Sequence, residues 1–244
     1  MGPGAVIARL TVSGLLGRRR AAVLVVLPLV LLVLAGVFRA VGGQDLRTAV
    51  LLLSTLGLGT VVPLLCVVVG TGVVGPEIED GSILYLLSKP LRRSLIVLSK
   101  LAVAVATSWA LLVPSVLVAG VLLVGTAQRL AVAYALAAAV AAVAYCALFL
   151  LLAVLTRNAV VIGLLYALIW ETTIAGVVPG ARVLSVRQWA YAVAEAVAGD
   201  EAVRQGVDSD VGLTTSIVLL ALVTGLASTY AVRRLRALRL GGQE

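Results

Sequence analysis

Two features of this 244-residue chain place charged side chains where they could do chemistry, and the larger is the segment from Glu77 to Lys100. Acidic residues fill its first turn, four apolar residues follow, Pro90 interrupts it and basic residues close it. A helix dipole favours carboxylates in the first turn, and an apolar patch beside charges is typical of a contact surface. The pattern indicates that the segment binds another protein; the alternative is a solvated loop helix without a partner.

The second feature is Glu171, which lies inside the apolar run VVIGLLYALIWETTIAGVVPG. A charge at the centre of a bilayer costs roughly 2.5–3.5 kcal/mol on insertion scales, so this carboxyl is expected to face a partner, a cavity or another subunit. Two interpretations stay open. Glu171 either lines a transport path or forms a gating contact, or it makes a structural hydrogen bond to Thr172, Thr173 or a neighbouring helix.

Residues for catalysis within the chain are scarce. The sequence contains no His, which excludes Ser-His and Cys-His nucleophile pairs and His metal sites. Cys66 and Cys146 lie in apolar runs and are interpreted as small core residues. Lys89 and Lys100 are the only lysines and neither follows Gly, so no phosphate-binding P-loop is present. We expect no enzyme activity, and no metal or cofactor held by this chain.

The elements that position these residues follow from composition. Hydrophobic residues make up 62% of the chain and charged residues 12%, with a mean hydropathy of +1.17. A soluble domain of this size carries about a quarter charged residues. The sequence therefore predicts an all-α fold, a polytopic helical membrane protein formed by one domain over residues 1–244. The basic residues that give the net charge of +8 lie at the ends of the apolar runs, so nucleic acid is not an expected partner.

Six apolar runs approach or exceed the ~20 residues that cross ~30 Å of hydrocarbon. The six predicted spans are residues 21–38, 48–74, 101–124, 131–155, 159–178 and 211–232. With this topology, 13 of the 19 Lys and Arg residues lie on the side of both termini. Basic loops stay in the cytoplasm, so we expect an inner-membrane protein with both termini and the 77–100 segment in the cytoplasm.

Two further segments are predicted to lie at the membrane surfaces. Residues 1–20 combine a short interfacial helix with a basic flank, for which the alternative is a frayed tail. Residues 179–210 form the longest external stretch. Within it, Ser185 and Gln188 have the spacing of a capping box that starts a short amphipathic helix. Trp189 and Tyr191 are expected to anchor that helix among the lipid headgroups.

The 75–100 region contains Glu77-x-Glu79, Gly81-Ser82, Leu86-Leu87, Pro90, Arg93 and Lys100. At this spacing the region resembles the cytoplasmic loop in the membrane subunits of the ABC type-2 transporter family. The run at 164–171, LLYALIWE, is also similar. The resemblance implies a cytoplasmic coupling helix that docks on a separate ATPase. It implies a docking set of Glu77, Glu79, Asp80, Gly81, Leu86, Leu87, Pro90, Arg93 and Lys100.

By that resemblance the chain is the permease of an exporter, driven by two copies of an ATPase subunit that carry the ATP and Mg. It would pair with a second copy of itself or with a homologous permease, surrounded by membrane lipid. The apolar spans favour a hydrophobic or amphipathic cargo. Two alternatives stay open: an ATPase-coupled sensor or assembly platform that moves no solute, and a proton-coupled secondary transporter that uses Glu171.

Overall fold

The computed structural model describes residues 18–42, 46–75, 93–125, 128–177, 179–199, 209 and 211–237. Every regular element in these ranges is helical. The elements are α1 (Arg18–Gly42), α2 (Leu46–Leu52), the π-helical segment π1 (Leu53–Val61), α3 (Val62–Gly72), α4 (Arg93–Val124), α5 (Gln128–Leu155), α6 (Ala159–Leu165), π2 (Tyr166–Ile174), α7 (Ala175–Val177), α8 (Pro179–Arg182), α9 (Val186–Ala198) and α10 (Leu213–Ala237).

The all-helical fold is confirmed for the described residues. Five of the described helices are long and apolar enough to cross a membrane, which agrees with a multi-pass membrane protein. They are Ala21–Val41, Leu46–Gly72, Ser94–Val124, Arg129–Leu155 and Leu213–Leu235. The run predicted as a fifth of six spans is a shorter apolar helix, Ala159–Ile174. Three residues of α7 follow it, and a new helical turn begins at Pro179, which has no N–H to continue the earlier helix.

The helix α5 lies at the centre of the bundle and packs against α3, α4, α9 and α10. Small residues allow this close packing. A Cβ on Gly120 would lie 2.7 Å from the Cβ of Ala131, and one on Gly70 would lie 2.8 Å from that of Phe149. Four closely spaced alanines on α5 are all buried, namely Ala137, Ala138, Ala141 and Ala142. Close approach of helices in membranes depends on such small side chains.

The spans divide into inner and outer helices by burial within the chain. In the apolar 18-residue stretch of each helix, 67% of the residues are buried in the 46–72 span and 61% are buried in α5. The buried share of the corresponding stretch is only 22% in α1, 28% in α4 and 22% in α10. The exposed side chains of α1 are mostly large aliphatic residues, and those of α4 and α10 include five large aliphatic residues each, so these faces suit lipid or another protein chain.

Two π-helical segments interrupt the bundle, and they lie against each other. In π1 the hydroxyl of Thr55 donates to the carbonyl of Leu51 at 2.6 Å, and that of Thr60 donates to the carbonyl of Thr55 at 3.0 Å. Both hydroxyls therefore donate to backbone carbonyl groups of the π-helical turn, which is wider than an α-helical turn. Short π-helical segments are rare and often lie at functional sites.

Several predicted features lie outside the described residues. These are most of the interfacial helix of residues 1–20 and the docking residues Glu77, Glu79, Asp80, Gly81, Leu86, Leu87 and Pro90. The other two docking residues are described. The helix α4 begins at Arg93, about two turns before the predicted start of the third span at residue 101. The apolar residues Leu95, Ile96 and Leu98 continue the helical pattern toward the N-terminus, so Lys100 lies inside the helix.

Candidate functional site

The site is built around the start of helix α9. Ser185 has extended backbone angles (φ −95°, ψ 126°), and its hydroxyl accepts a hydrogen bond from the N–H of Gln188 at 3.4 Å. The predicted N-cap is therefore confirmed. The reciprocal half of the capping box is not formed, because the N–H of Ser185 donates to the carbonyl of Arg182 at 3.0 Å. The side-chain oxygen of Gln188 has no hydrogen-bond partner among the described residues.

The carboxylate of Glu171 caps the first two N–H groups of α9. Its Oε1 accepts from the N–H of Val186 at 3.0 Å, and its Oε2 accepts from the N–H of Arg187 at 3.4 Å. The first N–H groups of a helix have no partner within the helix, and they carry the positive end of its dipole. A negative group at this position satisfies both needs at once.

Two hydroxyl groups also donate to this carboxylate. Tyr166 donates to Oε1 at 3.0 Å, and Ser185 donates to Oε2 at 2.5 Å. Each oxygen of Glu171 thus accepts two hydrogen bonds, which fills the four acceptor positions of a carboxylate. The Glu171 side chain is 0% exposed, yet its charge is solvated by four donors. Hydrogen bonds to an ionised group are stronger than neutral ones, so this cluster is a firm contact.

The π-helical backbone explains why Tyr166 and Glu171 can meet. They are five residues apart, and in an α-helix, at 100° per residue, they would point about 140° apart. A π-helix closes its turn between residues i and i+5, so both side chains of π2 lie on the same side. Phe149 of α5 closes the other side of Tyr166, with ring centroids 6.1 Å apart in an edge-on arrangement.

Of the hydrogen-bond partners considered for Glu171, the structure shows a neighbouring helix and not Thr172 or Thr173. The hydroxyls of Thr172 and Thr173 donate to the carbonyl of Leu168 in their own helix. The partner of Glu171 is instead the start of α9, which lies about 15 residues away along the chain. The sequence indicated Glu171 and Ser185 separately, and the structure brings them together.

The other end of α9 is held by a charge of the opposite sign. Arg129, at the start of α5, donates from Nε to the carbonyl of Val197 at 2.8 Å. The helix ends at Gly199, whose φ of 82° is the left-handed conformation that favours glycine. A cation at a helix C-terminus complements the dipole, as Glu171 does at the N-terminus. No local pattern predicted the Arg129 contact, because the two residues are 68 positions apart.

The middle of α9 packs against π1 of the second span. The hydroxyl of Tyr191 donates to the carbonyl of Ser54 at 2.8 Å, and the guanidinium of Arg187 lies 5.8 Å from the centre of the Tyr191 ring. Burial raises the pKa of the Tyr191 phenol above its usual value, which keeps it protonated as a donor. Gly59 leaves room for Arg187, since a Cβ there would lie 3.1 Å from Nη1.

The expectation that Trp189 anchors α9 in the lipid headgroups is corrected. Trp189 is 3% exposed, and its indole N–H donates to the carbonyl of Val183 at 2.8 Å. The indole lies inside the protein because the apolar face of α9 packs onto α5 and α10 rather than onto lipid.

Lys100 joins the two spans that flank residues 76–92. Its side chain is 2% exposed, and Nζ donates to the carbonyl of Val73 at 2.6 Å. Val73 is the C-cap residue that follows α3, and its own N–H donates to the carbonyl of Val69. A Lys at this position satisfies a terminal carbonyl and complements the negative end of the helix dipole. Within the described residues, α3 and the start of α4 are therefore fastened together at the base of this segment.

No protein-family model matches the sequence, and no curated protein matches it either.

Proposed function

We propose that this chain is the membrane-spanning permease subunit of an ATP-binding-cassette exporter. It would move a hydrophobic or amphipathic substrate out of the cytoplasm, with energy supplied by a separate ATPase docked on residues 77–100. The observation that carries the proposal is the charged segment at Glu77–Lys100, which lies between two apolar spans in a chain without a nucleotide-binding motif. The expected topology has six spans, with the 159–178 run as the fifth and both termini in the cytoplasm.

The bond from Lys100 to Val73 supports this mechanism. A force applied to a loop moves the bundle only if the loop is firmly connected to the spans. Because Lys100 of α4 holds the last turn of α3, a push on the 77–100 segment would displace both helices together. The π-helical segment π1 continues from α3 toward α9, where Tyr191 bonds to Ser54. The second span thus connects the proposed docking region to the site at Glu171.

The geometry around Glu171 favours a gating contact over a proton carrier. A proton-carrying carboxyl must exchange with water during each cycle. Glu171 is 0% exposed, and four donors occupy its oxygens. In the proposed exporter the carboxylate keeps α9 against the 159–174 helix, and α9 leaves the carboxylate only when the bundle changes conformation.

The test is co-purification of the chain with its ATPase. The variant Glu77→Lys, Glu79→Lys, Leu86→Ser, Leu87→Ser reverses the acidic turn and makes the apolar patch polar. We expect it to lose the complex and the stimulation of ATP hydrolysis by cargo. The matched control is Arg157→Glu, a charge reversal at an exposed residue between α5 and α6, which should keep both.

A stable complex with full stimulation in the four-residue variant would contradict the docking role. The same preparation tests stoichiometry, for which we expect two permease chains and two ATPase chains by mass. Cargo movement into vesicles, measured on the intact complex, separates an exporter from a sensor or assembly platform, because a platform would hydrolyse ATP without moving solute.

A further inference from the structure

A groove on the outer surface of α4 has the layout of a lipid site. One cavity of about 350 Å³ is lined, within the described part of the chain, by a single face of α4 from Leu98 to Trp109. A second cavity of about 300 Å³ lies between the start of α4 and the end of α10. Leu98 lines both cavities, so they adjoin at this residue, and together they are called the groove.

The polar groups of this groove are gathered at one end. Ser94, Ser228, Thr229 and Arg233 all line the cavity between α4 and α10. Arg233 is exposed, and Arg234 follows it on the same helix. The bias of basic residues places this end of the two helices at the cytoplasmic surface, where anionic lipid headgroups attract Lys and Arg.

The rest of the groove is apolar and has the length of one acyl chain. Leu98 and Trp109 are eleven residues apart on a continuous helix, which at ~1.5 Å per residue is roughly 16 Å. One leaflet is half of the ~30 Å hydrocarbon core, or about 15 Å. The groove between the two residues is shaped by Leu101, Ala102, Val105 and Ala106.

Trp109 forms the end of the groove that lies farthest from Arg233, and a hydrogen bond to α5 holds its ring in place. The indole N–H of Trp109 donates to the carbonyl of Ala139 on α5 at 2.8 Å, although 45% of the side chain is exposed. A ring held in this way closes the groove at about the depth where an acyl chain ends. The two alanines, Ala102 and Ala106, are exposed and small, which leaves space for a chain beside the helix.

From this arrangement we propose that the groove from Arg233 to Trp109 binds one anionic phospholipid. Its phosphate lies at Arg233 and the neighbouring hydroxyls, and an acyl chain lies along α4 with its end against Trp109. The proposal needs neither an ATPase nor transport, so it stands or falls independently of the exporter function.

The test uses the purified full chain in nanodiscs, with lipid occupancy measured by native mass spectrometry for phosphatidylglycerol and phosphatidylcholine. The wild type should retain phosphatidylglycerol in preference. Arg233→Gln should lower that preference by about fivefold, because one basic residue near the surface contributes about that factor. The double variant Ala102→Leu, Ala106→Leu fills the groove and should lower retention of both lipids.

Controls separate a defined site from general contact with lipid. Ala110→Leu adds the volume of one of these two substitutions at an exposed position of α4 outside the groove, and Arg157→Gln removes an exposed charge elsewhere. Both should retain the wild-type lipid. Equal retention of the two lipids by the wild type, or no effect of the filled groove, would overturn the proposal. So would cross-linking from position 102 to residues 1–17 or to a second copy of the chain rather than to lipid.

Discussion

The carboxylate of Glu171 accepts a hydrogen bond from the backbone N–H of Val186 at 3.0 Å, so a charge in an apolar helix caps a separate helix. The same carboxylate accepts from Arg187 N–H and from two hydroxyls. Arg129 holds the opposite end of α9. The helix α9 is therefore fixed between two oppositely charged residues that match its dipole.

Replacing Glu171 with Gln tests whether this contact stabilises the fold. An amide keeps the shape but offers only one acceptor oxygen, so a backbone N–H at the start of α9 loses its partner. We expect a loss of about 1–3 kcal/mol, the typical cost of a buried unsatisfied donor. Unfolding in mixed micelles measures the change. Thr173→Val, which removes a hydroxyl bonded within its own helix, should lie close to the wild type; an equal loss in both variants would contradict the account.

Ser185→Ala removes the N-cap and one donor to Glu171 together. The expected loss is about 1 kcal/mol, the usual contribution of an N-cap side chain. Because Ser185 and Glu171 share one network, the double variant with Glu171→Gln should lose less than the two single losses combined. If the loss of stability in the double variant equalled the sum of the two single losses, the two residues would act independently.

Lys100→Met removes the donor that reaches Val73 and keeps an aliphatic side chain in its place. The carbonyl that ends α3 then lacks this hydrogen bond, and hydrogen bonds to charged groups contribute about 1.5–3 kcal/mol. Amide hydrogen exchange near the end of α3 should accelerate tenfold or more. Unchanged exchange there would show that Lys100 does not fasten the two spans.

Two glycines provide a matched test of helix packing. Gly120→Ala places a Cβ 2.7 Å from that of Ala131, so we expect a loss of about 1–3 kcal/mol from overpacking. Gly225→Ala has open space around the added methyl group and should stabilise α10 by up to about 1 kcal/mol, because Ala favours a helix more than Gly does. Thermal unfolding in detergent measures both, and the same sign for both would contradict the packing described for α4 and α5.

Apolar length was enough to predict most spans, since an uninterrupted run of about 20 apolar residues has few alternatives to a membrane helix. For the 159–178 run the structure describes a shorter apolar helix, Ala159–Ile174, so a sixth span stays a prediction. Local patterns predicted Ser185 as an N-cap because that signal lies within four residues.

Contacts between distant residues could not be read from the sequence. The cost of burying Glu171 was predictable from its apolar surroundings, but its partner depends on a turn that returns α9 to π2. The burial of Trp189 likewise depends on how α9 packs against α5 and α10. The bond of Lys100 to Val73 was missed because basic residues near a span were assigned to the water interface.

The central claim is that a separate ATPase drives this chain through the 77–100 segment. The most direct measurement places a photo-reactive amino acid at position 84 of the full chain in its native membrane, followed by identification of the adduct by mass spectrometry. We expect an adduct with a cytoplasmic protein that carries a phosphate-binding P-loop. An adduct with lipid alone, or with a protein from the opposite side of the membrane, would contradict the claim.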